Sequence, residues 1–252
     1  MFESLKIWKH QGKQFISDVT AVTLPASFHG RPVLSSGSCK EGCDICAELC
    51  PTHALTLNPL TLDLGKCVFC TECVQVCPAE KISFSSDYRT ATNIRERLII
   101  QEGEDKPIEL DPQAVKKEIT KYFGSSLKLR QVSAAGDNSC EWELNACGNV
   151  NFDMGRYGIE FVASPRHADG IVITGPISQN MAEALQICYD AVPSPKLIIL
   201  AGTDAISGGI FAGSPALDRS FLDRYKVDLY VPGNPPHPLT FINGVLDLIR
   251  KR

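Results

Sequence analysis

The chain has 252 residues, which at about 150 residues per domain predicts one or two domains. Apolar residues make up 44% and charged residues 21%, a composition that excludes a disordered, collagen-like or coiled-coil chain. The formal net charge of −4 disfavours nucleic-acid binding through phosphate contacts, which needs a basic surface.

Residues 1–32 are weakly patterned, and we expect them to form an N-terminal arm or strand that packs on a neighbour. Their opening residues lack the apolar core of a secretory signal. No apolar run in the chain approaches the roughly 18 residues that a transmembrane helix needs. The sequence therefore predicts a chain that does not span a bilayer.

Eleven cysteines are the unusual feature of the composition, and eight of them fall between Cys39 and Cys77. Such a dense block, in a chain without a secretory signal, indicates metal binding in a reducing compartment. The second of its two runs, from Cys67 to Pro78, is a full C-x2-C-x2-C-x3-C-P, the pattern of two-cluster bacterial ferredoxins. The first run ends in the same way but has one extra residue between Cys39 and Cys43.

In such ferredoxins three closely spaced cysteines wrap one corner of a cubane, and the other run supplies the fourth thiolate. The predicted ligands are Cys39, Cys43, Cys46 and Cys77 for one [4Fe–4S] cluster and Cys67, Cys70, Cys73 and Cys50 for the other. Two zinc ions or disulfides are the alternatives, and the spacing favours the two clusters over both.

Between and after the cysteine runs, the sequence predicts two local structures. Residues 53–65 alternate apolar and polar side chains around Asn58-Pro59, which is typical of a hairpin. Residues 91–125 are expected to form a linker with one helix. That helix is predicted to open at Asp111-Pro112 and to run to about Phe123, with Gly124 just past its end.

From about residue 126 short apolar runs alternate with helical stretches, which predicts an α/β domain over residues 126–252 with a mostly parallel sheet. The predicted strands are Leu127–Val132, Gly158–Ala163, Gly170–Thr174, Lys196–Ala201 and Val227–Val231, and the predicted helices include Ser178–Tyr189 and Pro238–Arg250. Gly- or Pro-rich loops follow four strands, at 134–140, 174–176, 202–209 and 232–236. Because ligands bind at the carboxyl ends of such strands, these loops are a candidate site. The 202–209 loop lacks the spacing of a nucleotide-binding loop.

Five segments of this second domain carry a resemblance to a known family: residues 140–143, 161–169, 173–176, 208–211 and 230–236. They resemble the small subunit of group 4 membrane-bound [NiFe]-hydrogenases, of the formate hydrogenlyase type, and the related 20 kDa subunit of complex I. The resemblance covers about residues 125–250 and implies a flavodoxin-like α/β fold. Residues 33–90 resemble the ferredoxin-like subunit of the same complexes. This resemblance implies an α+β ferredoxin-like domain fused in one chain to the α/β domain.

The resemblance also implies a proximal [4Fe–4S] cluster, held by four cysteines of three carboxyl-edge loops. Carried over by position, its ligands fall on Asp137, Cys140, Asp204 and Asn234, so three of the four thiolates are missing. One thiol, two carboxylates and an amide form a poor site for a soft-metal cluster. We therefore expect two [4Fe–4S] clusters and no third one, with Cys147 and Cys188 as inert core residues.

Several polar residues have two possible roles. Glu141 and Glu143 are candidates for a proton relay near the degenerate site, or simply favourable acidic residues in a helix's first turn. Arg166 and His167 match the family's loop toward the large subunit, or bond local carbonyls. The remaining histidines, His10, His29, His53 and His237, are expected on the surface.

The resemblance implies an iron–sulfur electron-transfer subunit of a hydrogenase-like or complex I-like assembly, peripheral on the cytoplasmic side of the inner membrane. Its implied partners are a [NiFe]-hydrogenase large-subunit or 49 kDa-like homologue, membrane antiporter-like subunits and a soluble electron donor. We expect the chain alone to catalyse nothing. The alternatives are a structural or coupling subunit without hydrogenase activity, and a free-standing two-cluster ferredoxin with an attached enzyme domain.

Overall fold

A computed structural model describes residues 2–249 of the chain. Its α-helices are α1 Phe2–Gln11, α2 Ile45–Glu48, α3 Glu72–Val76, α4 Lys117–Phe123, α5 Ser139–Ala146, α6 Gln179–Ala191, α7 Thr203–Ser207, α8 Ser220–Arg224 and α9 Pro238–Leu248. Its strands are β1 Pro32–Leu34, β2 Leu55–Thr56, β3 Thr61–Asp63, β4 Ile82–Phe84, β5 Ile99–Gln101, β6 Leu127–Ser133, β7 Ile159–Phe161, β8 Gly170–Thr174, β9 Leu197–Ala201 and β10 Leu229–Val231. Within the described residues, none of these helices has the length and apolar character needed to cross a membrane.

The N-terminal segment contains a helix where the sequence suggested an arm or a strand. Helix α1 has no buried residue, and Phe2 and Trp8 stand 80% and 71% exposed. After α1, the Phe15 ring packs against the guanidinium of Arg156, the N–H of Ile16 donates to the carbonyl of Asn151, and Val19 is fully buried. The arm therefore packs on its own α/β domain through residues 15–24, while α1 projects from it.

Two small antiparallel sheets support the cysteine runs. Strands β1 and β4 pair with Leu34 opposite Ile82, and β2, β3 and β5 form a three-stranded sheet. The predicted hairpin is confirmed, since β2 and β3 flank the cis Asn58–Pro59 bond. The predicted linker adds a third strand, β5, to this hairpin. In that pairing Leu62 lies opposite Ile100, and both side chains are buried.

The linker helix begins later than predicted. Asp111 forms a local turn, accepting at its carboxylate from the N–H of Gln113 and at its carbonyl from Ala114. Lys116 has an extended backbone, so α4 starts only at Lys117. Short-range bonding by an Asp side chain competes with helix formation, which explains why Asp111-Pro112 marks a turn here. The helix ends at Phe123 before Gly124, as predicted.

The α/β domain is built on a five-stranded sheet with the order β10-β9-β8-β6-β7, and every pairing is parallel. Counted within the domain, this order is 2-1-3-4-5, the flavodoxin-like arrangement. All five residues of β8 and of β9 are buried, as expected for central strands covered on both faces. Ile171 and Ile173 pack in the core beside α6, whereas Val172 packs beside α9.

The predicted strands of this domain are all present, with bounds that match or differ by one or two residues. Helix α6 extends to Ala191, two residues past its predicted end. Helix α9 runs from Pro238 to Leu248, and its predicted last residue, Arg250, lies outside the described residues. The apolar runs predicted these strands because every residue of β8 and β9 is buried and β6 buries Leu127, Leu129 and Val132.

The four predicted loops meet at the carboxyl edge of the sheet. Gly175 and Gly136 approach so closely that a Cβ on Gly175 would lie 2.4 Å from the Gly136 nitrogen. Gly175 has φ +78°, so glycine is needed there for both space and backbone conformation. Thr203 N–H donates to the carbonyl of Gly233, which joins the loops after β9 and β10.

Candidate functional site

The second predicted cysteine set comes together around one small cavity. Cys50, Cys67, Cys70 and Cys73 all line it, although Cys50 is 17 residues before Cys67 in the chain. Burial raises the pKa of Cys67 to about 12, and the proximity of Cys73, Cys50 and Cys70 adds to the rise. Burial likewise raises the pKa of Cys73 to about 11, with further contributions from Cys70 and Cys50. The four thiols therefore sit close enough to interact, and burial disfavours the thiolate forms of Cys67 and Cys73, which a bound cation or cluster would stabilise.

Backbone N–H groups point at the sulfurs of this set. Ala54 N–H donates to Cys50 Sγ at 3.2 Å, and Phe69 N–H donates to Cys67 Sγ at 3.3 Å. Phe69 and Thr71 adopt left-handed backbone conformations, with φ of 56° and 65°, and so curl the chain around the cavity. Such donors favour the charged form of a thiol, as a cluster ligand requires.

The first predicted set is arranged around the exposed 37–44 loop. Burial raises the pKa of Cys46, and the nearby thiols of Cys77 and Cys39 raise it further. Cys39 and Cys43 line one wall of an open cavity beside this group. Lys81 N–H donates to Cys77 Sγ at 3.4 Å, in the same way as the donors of the second set.

The eight cysteines of the block are all free thiols. Within residues 2–249, no three His, Cys, Asp or Glu side chains converge closely enough to hold one metal ion. Four thiolates are the ligand set of a [4Fe–4S] cluster, and the four thiols that line the cavity of the second set fit that requirement.

The degenerate site lies at the carboxyl edge, where Cys140 at the start of α5 faces the loop after β9. A Cβ on Gly202 would lie 2.5 Å from Cys140 Sγ, so the sulfur sits directly against that loop. Asp204, in α7, is only 7% exposed, and its Oδ1 has no hydrogen-bond partner. The structure therefore brings Cys140 and Asp204 together, and the charge of Asp137 acts on both, so three of the four expected ligand positions lie near one another.

Three carboxylates make this site unfavourable for a thiolate. Burial raises the pKa of Cys140 to about 12, and the charges of Glu141, Asp204 and Asp137 raise it further. Burial also raises the pKa of Asp204, the charge of Asp137 adds to this, and Arg219 partly opposes it. A cubane needs several thiolates, so this donor set does not fit one.

Asp137 and Asn234 occupy the other two expected ligand positions. Asp137 Oδ1 accepts from the N–H and the hydroxyl of Ser139, at 2.9 and 2.6 Å, and so fastens the turn before α5. These bonds lower the pKa of the Asp137 carboxyl. Asn234 is half-buried, between Gly233 and the cis bond to Pro235.

Comparison with known proteins connects this edge to a family. The family model described as "NADH ubiquinone oxidoreductase, 20 Kd subunit" matches residues 138–248. The chain is 34% identical over 135 residues to "Probable membrane-bound hydrogenase subunit mbhJ" of Pyrococcus furiosus, covering 53% of this chain and 80% of that protein. The chain belongs to this 20 kDa subunit family. It is also 43% identical over 119 residues to an NADH-quinone oxidoreductase subunit of Heliobacterium modesticaldum, covering 47% of this chain and 68% of that protein.

Among solved structures, a chain from "the membrane-bound sulfane sulfur reductase (MBS), an archaeal respiratory membrane complex" aligns with a TM-score of 0.45. The two chains are 27% identical, and the alignment covers 53% of this chain and 73% of that one. All these matches fall on about half of this chain, and the family model lies within its α/β domain.

The other predicted site residues have varied surroundings. Glu141 is 8% exposed and accepts a 2.6 Å bond from the hydroxyl of Thr174. Glu143 is half-buried, and burial raises the pKa of its carboxyl. Glu141 lies in the first turn of α5, where an acidic side chain is favourable, and Glu143 lies two residues further along the helix. Arg166 and His167 are exposed, immediately before β8.

The remaining cysteines and histidines include one wrong prediction. Cys147 is fully buried and bonds the carbonyl of Glu143, whereas Cys188 is half-buried on α6. His237, expected on the surface, instead caps α9, because its Nδ1 accepts from the N–H of Leu239. Burial lowers the pKa of His237, and its ring packs edge-on against Phe28. His10, His29 and His53 are exposed, as predicted.

Two residues that the sequence patterns did not single out join the halves of the site. The Thr203 hydroxyl donates to the carbonyl of Cys67 at 2.7 Å, so the second cysteine set abuts the degenerate site. Arg219 donates to the carbonyls of Pro176, Asp204, Ala205 and Ile206, holding two edge loops together. Both act on backbone carbonyls, which leave no pattern in the sequence.

Proposed function

We propose that this chain is an iron–sulfur electron-transfer subunit of a membrane-associated assembly of the hydrogenase or complex I kind. It carries two [4Fe–4S] clusters in a ferredoxin-like N-terminal domain, on the two predicted sets of four cysteines, and no cluster at the proximal position. Its α/β domain docks a large-subunit homologue, and membrane subunits and an electron donor complete the assembly. The chain alone catalyses nothing.

The observation that carries this proposal is the convergence of Cys50, Cys67, Cys70 and Cys73 on one cavity, with backbone N–H groups aimed at two of the sulfurs. When bound, each cluster supplies a one-electron carrier. The chain's own residues hold the thiolates, orient them through N–H bonds and bury Cys67 of the second set. Cys67 and the proximal position are joined through Thr203.

Iron analysis of protein made without oxygen tests the cluster number. Two cubanes predict about eight iron atoms per chain, and three predict about twelve. Cys73→Ser should lower the iron content toward about four atoms, while Cys140→Ser should leave it at about eight. EPR after reduction with a low-potential donor should show two interacting [4Fe–4S] signals. Protein without iron would overturn the proposal, and about twelve atoms would overturn the empty proximal site.

A second candidate function is a structural or coupling subunit in which the α/β domain is a scaffold. Asp137, Asp204 and Asn234 at the ligand positions support it, because electrons on the N-terminal clusters would then have no carrier at the proximal position. Purification of the assembly with its large-subunit homologue separates the candidates. Reduction of the N-terminal clusters by the assembly's own electron donor supports the electron-transfer function. A chain that stays a free monomer would contradict both.

The proposed location is peripheral, on the cytoplasmic side of the inner membrane. The family relatives named as a membrane-bound hydrogenase subunit and a quinone oxidoreductase subunit support an assembly at a membrane. Protease protection in right-side-out and inverted vesicles tests the side. Digestion of this chain only in inverted vesicles is the expected result.

A further inference from the structure

Lys81 is a buried cation beside the first cysteine set. It is 5% exposed and lies four residues after Cys77, at the entry to β4. Its Nζ donates to Glu102 Oε2 at 2.6 Å and to the carbonyl of Gly37 at 2.5 Å. A buried ammonium group requires such partners, so its position is fixed by both contacts.

The contact with Gly37 bears on the part of the cysteine block that departs from the ferredoxin spacing. Gly37 lies two residues before Cys39, at the start of the loop with the extra residue. Residues 39–42 are all exposed, so packing contributes little to holding this loop. Lys81 therefore forms a bridge from the loop to Glu102, just after β5.

Lys81 also contributes charge where the first set needs it. Its side chain and those of Cys39 and Cys43 line the same cavity, with Glu102 on its rim. Its backbone N–H donates to Cys77 Sγ at 3.4 Å. A cation held in a partly buried site attracts nearby thiolates much more than a solvated lysine would.

We infer that Lys81 is a positioning residue for the first cluster: its ammonium group holds the Cys39 loop closed and keeps a positive charge beside the cluster. The inference rests on the proposed function, since it requires a cluster on Cys39, Cys43, Cys46 and Cys77. Glu102 makes the arrangement stable by pairing with the buried charge.

The test uses the full chain, reconstituted without oxygen, and follows iron release to a chelator together with an EPR redox titration. In Lys81→Met, about four of the eight irons should leave at least tenfold faster than in the unsubstituted protein. The potential of that cluster should shift negative, because a nearby positive charge favours the more negative reduced state. Lys81→Arg should restore most of both properties. Lys66→Met is the matched control, since Lys66 is exposed and adjacent to Cys67.

The outcomes separate the two proposals. An unsubstituted protein without iron overturns the proposed function. Eight irons in the unsubstituted protein, with unchanged release and potential in Lys81→Met, overturn the role of Lys81 alone. If circular dichroism shows that Lys81→Met does not fold, the same iron release and redox titration are made on Lys81→Gln, which removes the charge but keeps a polar group. Unchanged release and potential in that variant overturn the role of Lys81. An equal effect in Lys66→Met would also overturn the inference, since Lys66 lies beside Cys67 of the second set.

Discussion

Thr203 joins the cysteine-bearing domain to the carboxyl edge of the α/β sheet, and Thr203→Val tests that junction. The residue is fully buried, and its hydroxyl lies 2.7 Å from the carbonyl oxygen of Cys67 and 3.2 Å from that of Gly233. Valine has nearly the same shape, so the substitution removes the donor without opening a cavity.

The expected cost follows from which carbonyl loses its donor. Gly233 keeps the 2.8 Å bond from the N–H of Thr203, so the loss falls on the carbonyl of Cys67. A buried acceptor left unpaired costs about 1–3 kcal/mol. In a chain of this size 1 kcal/mol lowers Tm by about 2–4 °C, which predicts a fall of about 2–12 °C.

Thermal unfolding of the iron-loaded protein under nitrogen measures this change. Thr120→Val is the matched control, because its hydroxyl donates to the carbonyl of Lys117 near the surface, where water replaces the lost bond. The control should change stability by less than about 0.5 kcal/mol. Equal shifts of Tm in the two variants would refute the argument that Thr203 stabilises the junction.

Three further predictions concern the same region. Because the folded pKa of Asp204 is raised, its stabilising contribution is full at low pH and is lost as pH rises through that pKa. Asp204→Asn should therefore gain more Tm relative to the unsubstituted protein at pH 8 than at pH 4, which is close to the ordinary pKa of 3.8, and an equal difference at both would contradict this. Arg95→Met should destabilise the hairpin by about 1–3 kcal/mol in urea unfolding, because Arg95 makes two bonds of 2.8 and 2.7 Å to the Asp63 carboxylate. Unchanged midpoints would show that the pair adds nothing. Gly202→Ala should cost more than about 1 kcal/mol, since its Cβ would lie 2.5 Å from Cys140 Sγ at φ +99°; adding Cys140→Ala should recover part of the loss in Tm, and no recovery would place the strain in the backbone alone.

The grouping of the cysteines and the partner of Lys81 differ in how far the sequence predicts them. The spacing of the two cysteine runs predicts which cysteines group together, because closely spaced thiolates wrap one corner of a cubane. Lys81 and Glu102 are 21 residues apart, and their pairing across two strands has no spacing that a sequence pattern could reveal.

The parallel sheet, the hairpin at Asn58-Pro59 and the positions of the four edge loops could all be predicted from the sequence. Burial on both faces imposes continuous apolar runs, and turns impose Gly, Pro and Asn. The presence of Asp137, Asp204 and Asn234 at the expected ligand positions could also be read there. The folded chain was needed to show that Asp204 is buried without a partner for Oδ1, that His237 caps a helix, and that Thr203 reaches Cys67. Those facts depend on contacts between residues far apart in the chain, where burial and hydrogen bonding are set by packing and not by local pattern.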